Sequence, residues 1–261
     1  MTPFLPNELI GRIASYIELP AHLVSLLLVS RVFYAEAERH LYRSVIFHGS
    51  KEKWPLLWQT RGMDRVGKFI TSLSVEFKDQ DDFAVSLREV LLGLPNLGSL
   101  VIQGSLYWSD LEILFYHSNE FPFLLHTLSM DVTFGHPLVT EFLSNQSSVV
   151  DLTWVTDGYY ANHYPLGSPD APIPSGETKR FLPAVERFIC STSTLHVARH
   201  LPSAKWVKYV DQITQEYHEP ILQVQEIVLK STAEEYVNFN IIFPNISVMT
   251  LEQYLVCFHT R

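Results

Sequence analysis

The stretch HVARH contains the pair of residues whose spacing comes nearest to a metal site, His196 and His200. On a helix this spacing would place both imidazoles on one face, as in hydrolytic zinc enzymes. Those enzymes also need a glutamate directly after the first histidine, and Val197 stands there instead. The pattern therefore favours a surface histidine pair, and we predict no metal site.

Other combinations that carry catalysis or ion binding are also incomplete. The stretch KDQDDF at 78–83 clusters acidic residues but lacks the glycine and the closing glutamate of an EF-hand loop, so it indicates a solvated turn. The chain has no glycine-rich phosphate loop after a strand and no Gly-x-Ser-x-Gly elbow. We therefore predict no catalytic residue, no cofactor and no enzymatic activity of the chain itself.

Composition indicates a globular chain of the cytoplasm or nucleus. Its 261 residues are 47% hydrophobic and 18% charged, and the net charge of -9 gives no general attraction to nucleic acid or anionic lipid, so we expect neither as a partner. The longest apolar runs, such as residues 23–29, are far shorter than the roughly 20 residues of a membrane span, and no secretory signal is recognisable. Cys190 and Cys257 are too few for a disulfide framework.

The N-terminal residues predict three short helices. Pro6 suits a first helical turn, and the residues after it form an apolar stripe at three- and four-residue steps: Leu9, Ile10, Ile13, Tyr16 and Ile17. Pro20 ends this helix, residues 21–30 form the second, and residues 31–42 form the third. Three helices this short bury too little surface to form a stable domain alone. We therefore expect their remaining apolar surface to contact a partner.

These residues resemble an F-box over residues 4–47. The resemblance rests on Leu5-Pro6-x-Glu8-Leu9-Ile10-x-x-Ile13, on Leu23-x-x-Leu26-Leu27-x-Val29-Ser30-Arg31-x-Phe33-Tyr34, and on Leu41-Tyr42. The chain departs from the family at Ala21-His22, where an acidic or hydroxyl helix cap is common, and at Tyr42, where Trp is frequent. The alternative interpretation is that the three helices only cap the domain that follows.

The resemblance implies that this module binds the Skp-type adaptor of a cullin-RING ubiquitin ligase, while the rest of the chain selects the protein to be ubiquitinated. The candidate adaptor-binding residues are Leu5, Pro6, Leu9, Ile13, Leu26, Val29 and Phe33. Some of them must instead hold the three helices together, and the sequence alone does not divide the two sets.

From residue 66 onward a short unit of the form apolar-x-x-apolar-x-apolar recurs. Its middle residues are Leu73, Leu100, Leu128, Leu152, Phe188, Val207, Ile227 and Met249, in steps of 27, 28, 24, 36, 19, 20 and 22. Five units follow an apolar-Pro pair, which ends a helix and favours an extended strand: Leu94-Pro95, Phe121-Pro122, Leu182-Pro183, Leu201-Pro202 and Phe243-Pro244. Residues 83–94, 108–117 and 194–201 have the spacing of outer helices.

The unit resembles the Leu-x-x-Leu-x-Leu signature of a leucine-rich repeat, whose length most of the steps match. Because the family's asparagine five positions later is absent, we predict an α/β chain in which the F-box precedes an irregular leucine-rich-repeat solenoid over 66–261. Residues 157–179, rich in proline and glycine, form an insertion loop. No polar cap follows the last unit, which predicts a frayed or exposed final repeat or a natural continuation of the chain.

The outward side of the strands is the candidate surface for a target protein. Its early half is polar and mildly acidic, which favours a basic or hydroxyl-rich segment as the guest. The candidate target-binding residues are Glu76, Gln103, Asp131 and Thr153 on the strands and Tyr159 and Tyr160 in the insertion loop. A solvated strand face and a loop without a role are the alternatives.

Two functions from different classes follow from these resemblances and stay open beside each other. The favoured one is a substrate-recognition subunit of an Skp-cullin-F-box E3 ubiquitin ligase, whose partners are the Skp-type adaptor, the cullin ligase and an unknown protein substrate. The second is a leucine-rich-repeat protein-binding scaffold with no ligase role, and an enzyme is a distant third. The first two differ in whether residues 4–47 bind the adaptor.

Overall fold

The computed structural model describes residues 5–48, 63–76, 83–104, 106–131, 136–155, 182–191, 197–198, 201–209, 225–229, 245 and 248–251. It is a mixed α/β structure in which three N-terminal helices precede a parallel sheet. The stretches HVARH and KDQDDF, the insertion loop and the last ten residues lie wholly or mostly outside this description.

Helices α1 (Asn7–Ser15), α2 (Pro20–Leu27) and α3 (Arg31–Leu41) form the N-terminal module. Pro6 is the residue before α1, and its carbonyl accepts from the backbone N–H groups of the first turn. Pro20 does not only stop α1: it is the first residue of α2, where its fixed φ and missing N–H fit a helix start. The hydroxyl of Ser30 accepts from the N–H of Phe33 and caps α3.

In the part of the chain that the structure describes, the sheet has nine parallel strands in strict chain order, so each strand pairs with the strands before and after it in sequence. The strands are β1 (Ser44–His48), β2 (Ser72–Glu76), β3 (Ser99–Gln103), β4 (Thr127–Met130), β5 (Asp151–Trp154), β6 (Arg187–Cys190), β7 (Trp206–Tyr209), β8 (Glu226–Leu229) and β9 (Val248–Leu251). The predicted units coincide with β2 to β9, and their eight middle residues occupy one register position across the sheet.

Strand β1 is a further unit that the sequence reasoning missed. Val45 pairs with Leu73 and Phe47 pairs with Val75, so Tyr42, Val45 and Phe47 repeat the apolar-x-x-apolar-x-apolar form. Its middle residue precedes Leu73 by 28 positions, as a preceding repeat requires.

Helices occupy the connections between the early strands. They are α4 (Met63–Val66), α5 (Phe83–Leu92), α6 (Trp108–Phe115) and α7 (Pro137–Asn145). The predictions at 83–94 and 108–117 agree with α5 and α6, whereas α7 was not predicted. Helix α6 contacts both α5 and α7. The third predicted outer helix, at 194–201, lies mostly outside the described residues, although Val197 and Ala198 within it are buried.

The main core lies between the inward side of the strands and these helices. The three apolar positions of each unit from β2 to β6 are buried, as Ile70, Leu73 and Val75 illustrate. Several strands are preceded by a turn. In each of these turns a backbone N–H donates to the carbonyl three residues earlier: Ile70 to Gly67, Leu97 to Leu94, Val185 to Leu182, and Ala204 to Leu201. In the last three of these turns the second position is the proline of the apolar-Pro pair, because a fixed φ near -65° suits that position.

The turn before β4 departs from this pattern. The N–H of Leu125 donates instead to Oε1 of Gln146, at 2.9 Å, from the turn that follows α7. Gln146 is buried, so this side chain satisfies a buried backbone donor of the neighbouring unit.

Candidate functional site

The N-terminal module has a core of its own. Ala14, Leu23 and Ala37 are buried together, one from each helix. The residues packed against them are Ile17, Leu26, Leu27 and Leu41. This small core holds the helices together and leaves other apolar residues outside it.

Large exposed apolar side chains concentrate on this module. Of the fifteen that the described part of the chain contains, nine lie between residues 5 and 34: Leu5, Leu9, Ile13, Tyr16, Leu19, Val24, Leu28, Val29 and Tyr34. Single exposed apolar residues are normal on a protein surface, whereas a concentration of them is typical of interaction surfaces. We call these nine residues the module surface.

Helix α1 carries two apolar sides. Ile10 and Ala14 turn toward the protein and are buried, while Leu9, Ile13 and Tyr16 are exposed. At 100° per residue the exposed group is centred about 120° from the buried group around the helix axis. The folding of the chain therefore uses only one of the two apolar sides.

The structure separates the predicted adaptor-binding residues into two groups. Leu5, Pro6, Leu9, Ile13 and Val29 are exposed and belong to the surface around α1 and the α2–α3 turn. The other two predicted residues are half-buried: Leu26, which packs against the module core, and Phe33. Tyr16, Leu19, Val24 and Leu28 are exposed apolar residues of the same module that were not predicted as contacts.

An ion pair between the buried Glu38 and the exposed Arg65 joins the module to the segment before β2. Glu38 on α3 is 7% exposed, and its carboxylate accepts a hydrogen bond from the Tyr34 hydroxyl at 3.2 Å and lies 2.7 Å from a guanidinium nitrogen of Arg65 on α4. The hydrogen bond with Tyr34 and the charge of Glu38 both raise the pKa of Arg65. Helix α4 leads into β2, so this pair ties α3 to the second repeat unit.

The end of α3 belongs to both parts of the molecule. Leu41 packs against the core of the module, whereas Tyr42 packs against the core of the sheet. The carbonyl of Arg43 accepts from the N–H groups of Thr71 and Ser72 at 2.9 and 3.1 Å. These contacts leave no flexible linker between α3 and β1.

The outward side of the sheet changes character along its length. The strand side chains that alternate with the buried ones form a surface that we call the outer face. Its early strands carry mostly hydroxyl residues: Ser44, Ser72, Ser74, Ser99, Thr127, Ser129 and Thr153. The next strands carry larger residues, Arg187, Ile189, Trp206 and Lys208.

The predicted target-binding residues of the strands lie together on this outer face. Glu76 pairs with Gln103 at the ends of β2 and β3, and the N–H of Asp131 donates to the carbonyl of Ile102, which places Asp131 beside Gln103. Thr153 lies one position before Trp154 on β5. The predicted loop residues, Tyr159 and Tyr160, lie outside the described residues.

The outer face also contains an ion pair that the sequence did not predict. Nε and one terminal nitrogen of Arg187 donate to the two carboxylate oxygens of Asp151, the register neighbour of Arg187 on β5. This double hydrogen bond and the charge of Asp151 raise the pKa of Arg187. The two residues are 36 positions apart, so the pair could be predicted only after β5 and β6 had been aligned.

His136 caps α7 through its ring. Nδ1 accepts from the N–H of Leu138 at 3.2 Å, which requires an unprotonated nitrogen. Burial lowers the pKa of His136, although the charge of Glu112 acts in the opposite direction. The cap therefore depends on neutral histidine.

Two further properties concern the described residues only. No described helix combines the length and the apolar character needed to cross a membrane. Within the same residues, no group of three or more His, Cys, Asp or Glu side chains is placed to hold a metal ion.

Comparison with known proteins gives no assignment. No protein-family model matches the chain, and a search of curated proteins finds no significant relative.

Proposed function

We propose that this protein is the substrate-recognition subunit of an Skp-cullin-F-box E3 ubiquitin ligase. In this proposal the N-terminal module is an F-box that binds the Skp-type adaptor, and the sheet binds the protein to be ubiquitinated. The observation that carries it is the module surface: three helices share a small core and leave nine large apolar side chains exposed. Four of the seven residues that the F-box resemblance implicates belong to this surface, and a fifth, Pro6, is exposed next to Leu5.

We also propose that the sheet and its connections form an irregular leucine-rich-repeat solenoid. Three observations support this: the strands follow chain order, all of them are parallel, and equivalent apolar residues share one register position. Each unit has an apolar edge that only the next unit can cover, so the stacking of units is what makes the sheet stable. The outer face is then the surface on which a target protein is held.

In this role the chain performs no chemistry. It holds a target near a ubiquitin-charged enzyme and raises the effective concentration of the target's lysines. The proposed site of action is the cytoplasm or the nucleus, where such ligases work.

Co-purification tests the proposal. We expect the full chain, co-expressed with a tagged Skp-type adaptor, to purify with it at equimolar ratio. Leu5→Asp and Leu9→Asp should each abolish this, because losing an interface anchor commonly costs about 2 kcal/mol or more and a buried charge costs at least as much. Both residues are exposed, at 41% and 45%, so neither substitution should unfold the chain.

Leu124→Asp is the matched control. Leu124 is 53% exposed and precedes β4, far along the chain from the module, so the same substitution there should leave adaptor binding intact. If wild-type protein does not co-purify with the adaptor, the ligase proposal is wrong and a leucine-rich-repeat scaffold without a ligase role replaces it.

A further inference from the structure

The outer face presents its described lysine and arginine side chains at one place. Among the described outward strand residues, Arg187 and Lys208 are the cations, and both lie on β6–β7. They form a two-by-two group with Trp206 and Ile189, because Arg187 pairs with Trp206 and Ile189 pairs with Lys208. Neighbouring strands are about 4.8 Å apart and alternate residues of a strand about 6.7 Å apart, so the group fits under one short peptide segment. We call it the β6–β7 patch.

The side chains of this patch are of the types that dominate binding energy at protein interfaces. Trp and Arg are enriched among interface hot spots, whereas Ser and Thr are under-represented. Trp206 and Ile189 are half-buried by neighbours of their own chain, and each keeps part of its apolar surface exposed. The hydroxyl residues of β1 to β5 offer little contact area by comparison, and the exposed Ile46 on β1 has Ser74 as its register neighbour on β2, with no lysine or arginine among the outward residues of these two strands.

Asp151 prepares Arg187 for a second acceptor. The pair with Asp151 uses Nε and one terminal nitrogen, and it holds the guanidinium plane in one orientation. The other terminal nitrogen takes no part in that pair, and the Arg187 side chain is 62% exposed. Because a guanidinium has five N–H donors, donors remain for a carboxylate above the patch.

From these observations we infer that the β6–β7 patch is the anchor for the target, and that it takes a segment carrying an aromatic or apolar residue next to an acidic one. The apolar side chain packs on Trp206 and Ile189, and the carboxylate accepts from Arg187 and Lys208. This inference rests on the proposal that the outer face binds the target. It moves the centre of binding away from Glu76 and Asp131, whose charges favour a basic guest.

A displayed library of random 12-residue peptides, selected on the full chain, tests the inference. We expect the enriched peptides to share an Asp or Glu within three positions of a Phe, Trp, Leu or Ile. A synthetic peptide of this kind should bind Trp206→Ala and Lys208→Glu at least tenfold more weakly than it binds wild-type protein. Thermal denaturation of each variant shows whether it is folded, and Lys208→Glu leaves the aromatic residue in place.

Glu76→Gln and Asp131→Asn are comparison variants that test the alternative centre of binding, since they alter charge on the same face five and three strands away from β7. They should change the affinity for the peptide less than twofold. Enrichment of basic peptides, equal losses in the comparison variants, unchanged binding by Trp206→Ala and Lys208→Glu, or no enrichment at all would each overturn the inference. Adaptor co-purification is measured on the same variants, so failure of the peptide arm is distinguishable from failure of the ligase proposal.

Discussion

A glycine at the contact between the β2 and β3 units gives a quantitative test of how the repeats stack. Gly67 lies in the turn before β2, and Gly93 follows α5 in the next unit. An ideal Cβ on Gly67 would lie 2.4 Å from the carbonyl oxygen of Gly93, whereas ordinary contacts begin at 3.4 Å. Gly67→Ala therefore demands a displacement of about 1 Å between two backbone segments, and no flexible side chain can absorb it.

The expected loss follows from this overlap. Overpacking that shifts the backbone typically costs about 1–3 kcal/mol. Alanine also restricts the unfolded chain, which stabilises by about 0.4–1 kcal/mol wherever the folded conformation tolerates it. Gly98→Ala is the matched control for this second effect, because a Cβ on Gly98 would meet its nearest neighbour at 3.7 Å.

Urea and thermal denaturation followed by circular dichroism measure both variants. We expect Gly67→Ala to be about 1–3 kcal/mol less stable than Gly98→Ala. For a chain of this size the corresponding difference in Tm is roughly 2–12 °C. If Gly67→Ala proves as stable as Gly98→Ala, the close approach of the β2 and β3 units is refuted, and with it the tight stacking on which the repeat interpretation depends.

Two other predictions concern the charged and titratable groups of the scaffold. Arg65→Met should lower the free energy of unfolding because it leaves the buried Glu38 carboxylate without its ion-pair partner. In a double-mutant cycle, adding Glu38→Gln should recover part of the lost stability. If the two substitutions change the free energy of unfolding additively, the residues are not coupled. The pKa of His136 is lowered in the folded state, so the unfolded chain binds more protons and wild-type stability should fall as the pH drops through the unfolded value near 6.5. His136→Asn keeps a capping acceptor that does not titrate, so its melting temperature should depend less on pH than that of the wild type. An undiminished pH dependence would show that His136 is not the group responsible.

The strand register was predictable because it depends on a local pattern. In a strand that buries one face, the residues at alternate positions must be apolar. The first apolar residue of each unit from β2 to β6 lies in the turn before the strand and is buried with them. That rule located the eight middle residues from Leu73 to Met249, which share one register position. The same rule applies to Tyr42, Val45 and Phe47. Strand β1 was not predicted because these residues fall within the F-box resemblance, which covers residues 4–47.

Contacts between distant side chains were not predictable in the same way. The Glu38–Arg65 pair depends on how a segment of about twenty residues returns the chain to α3, and the Asp151–Arg187 pair spans the long step between β5 and β6. No spacing rule encodes either distance. The division of the module's apolar residues has the same cause: Leu26 packs against the core shared by the three helices and Leu9 does not, which is set by how the helices pack and not by residue type.

The junction at the end of α3 determines how the two proposed surfaces can cooperate. Leu41 and Tyr42 are adjacent in sequence but pack into different cores, so a rotation of the module about this point would expose apolar surface on both sides. The Glu38–Arg65 pair adds a second contact between α3 and the segment before β2, three residues before Leu41 on the same helix. The module surface and the outer face are therefore held in one relative orientation. A ligase subunit built this way would present its target to the ubiquitin-charged enzyme at a fixed position, and loosening the Glu38–Arg65 attachment should reduce ubiquitin transfer without weakening the binding of adaptor or target.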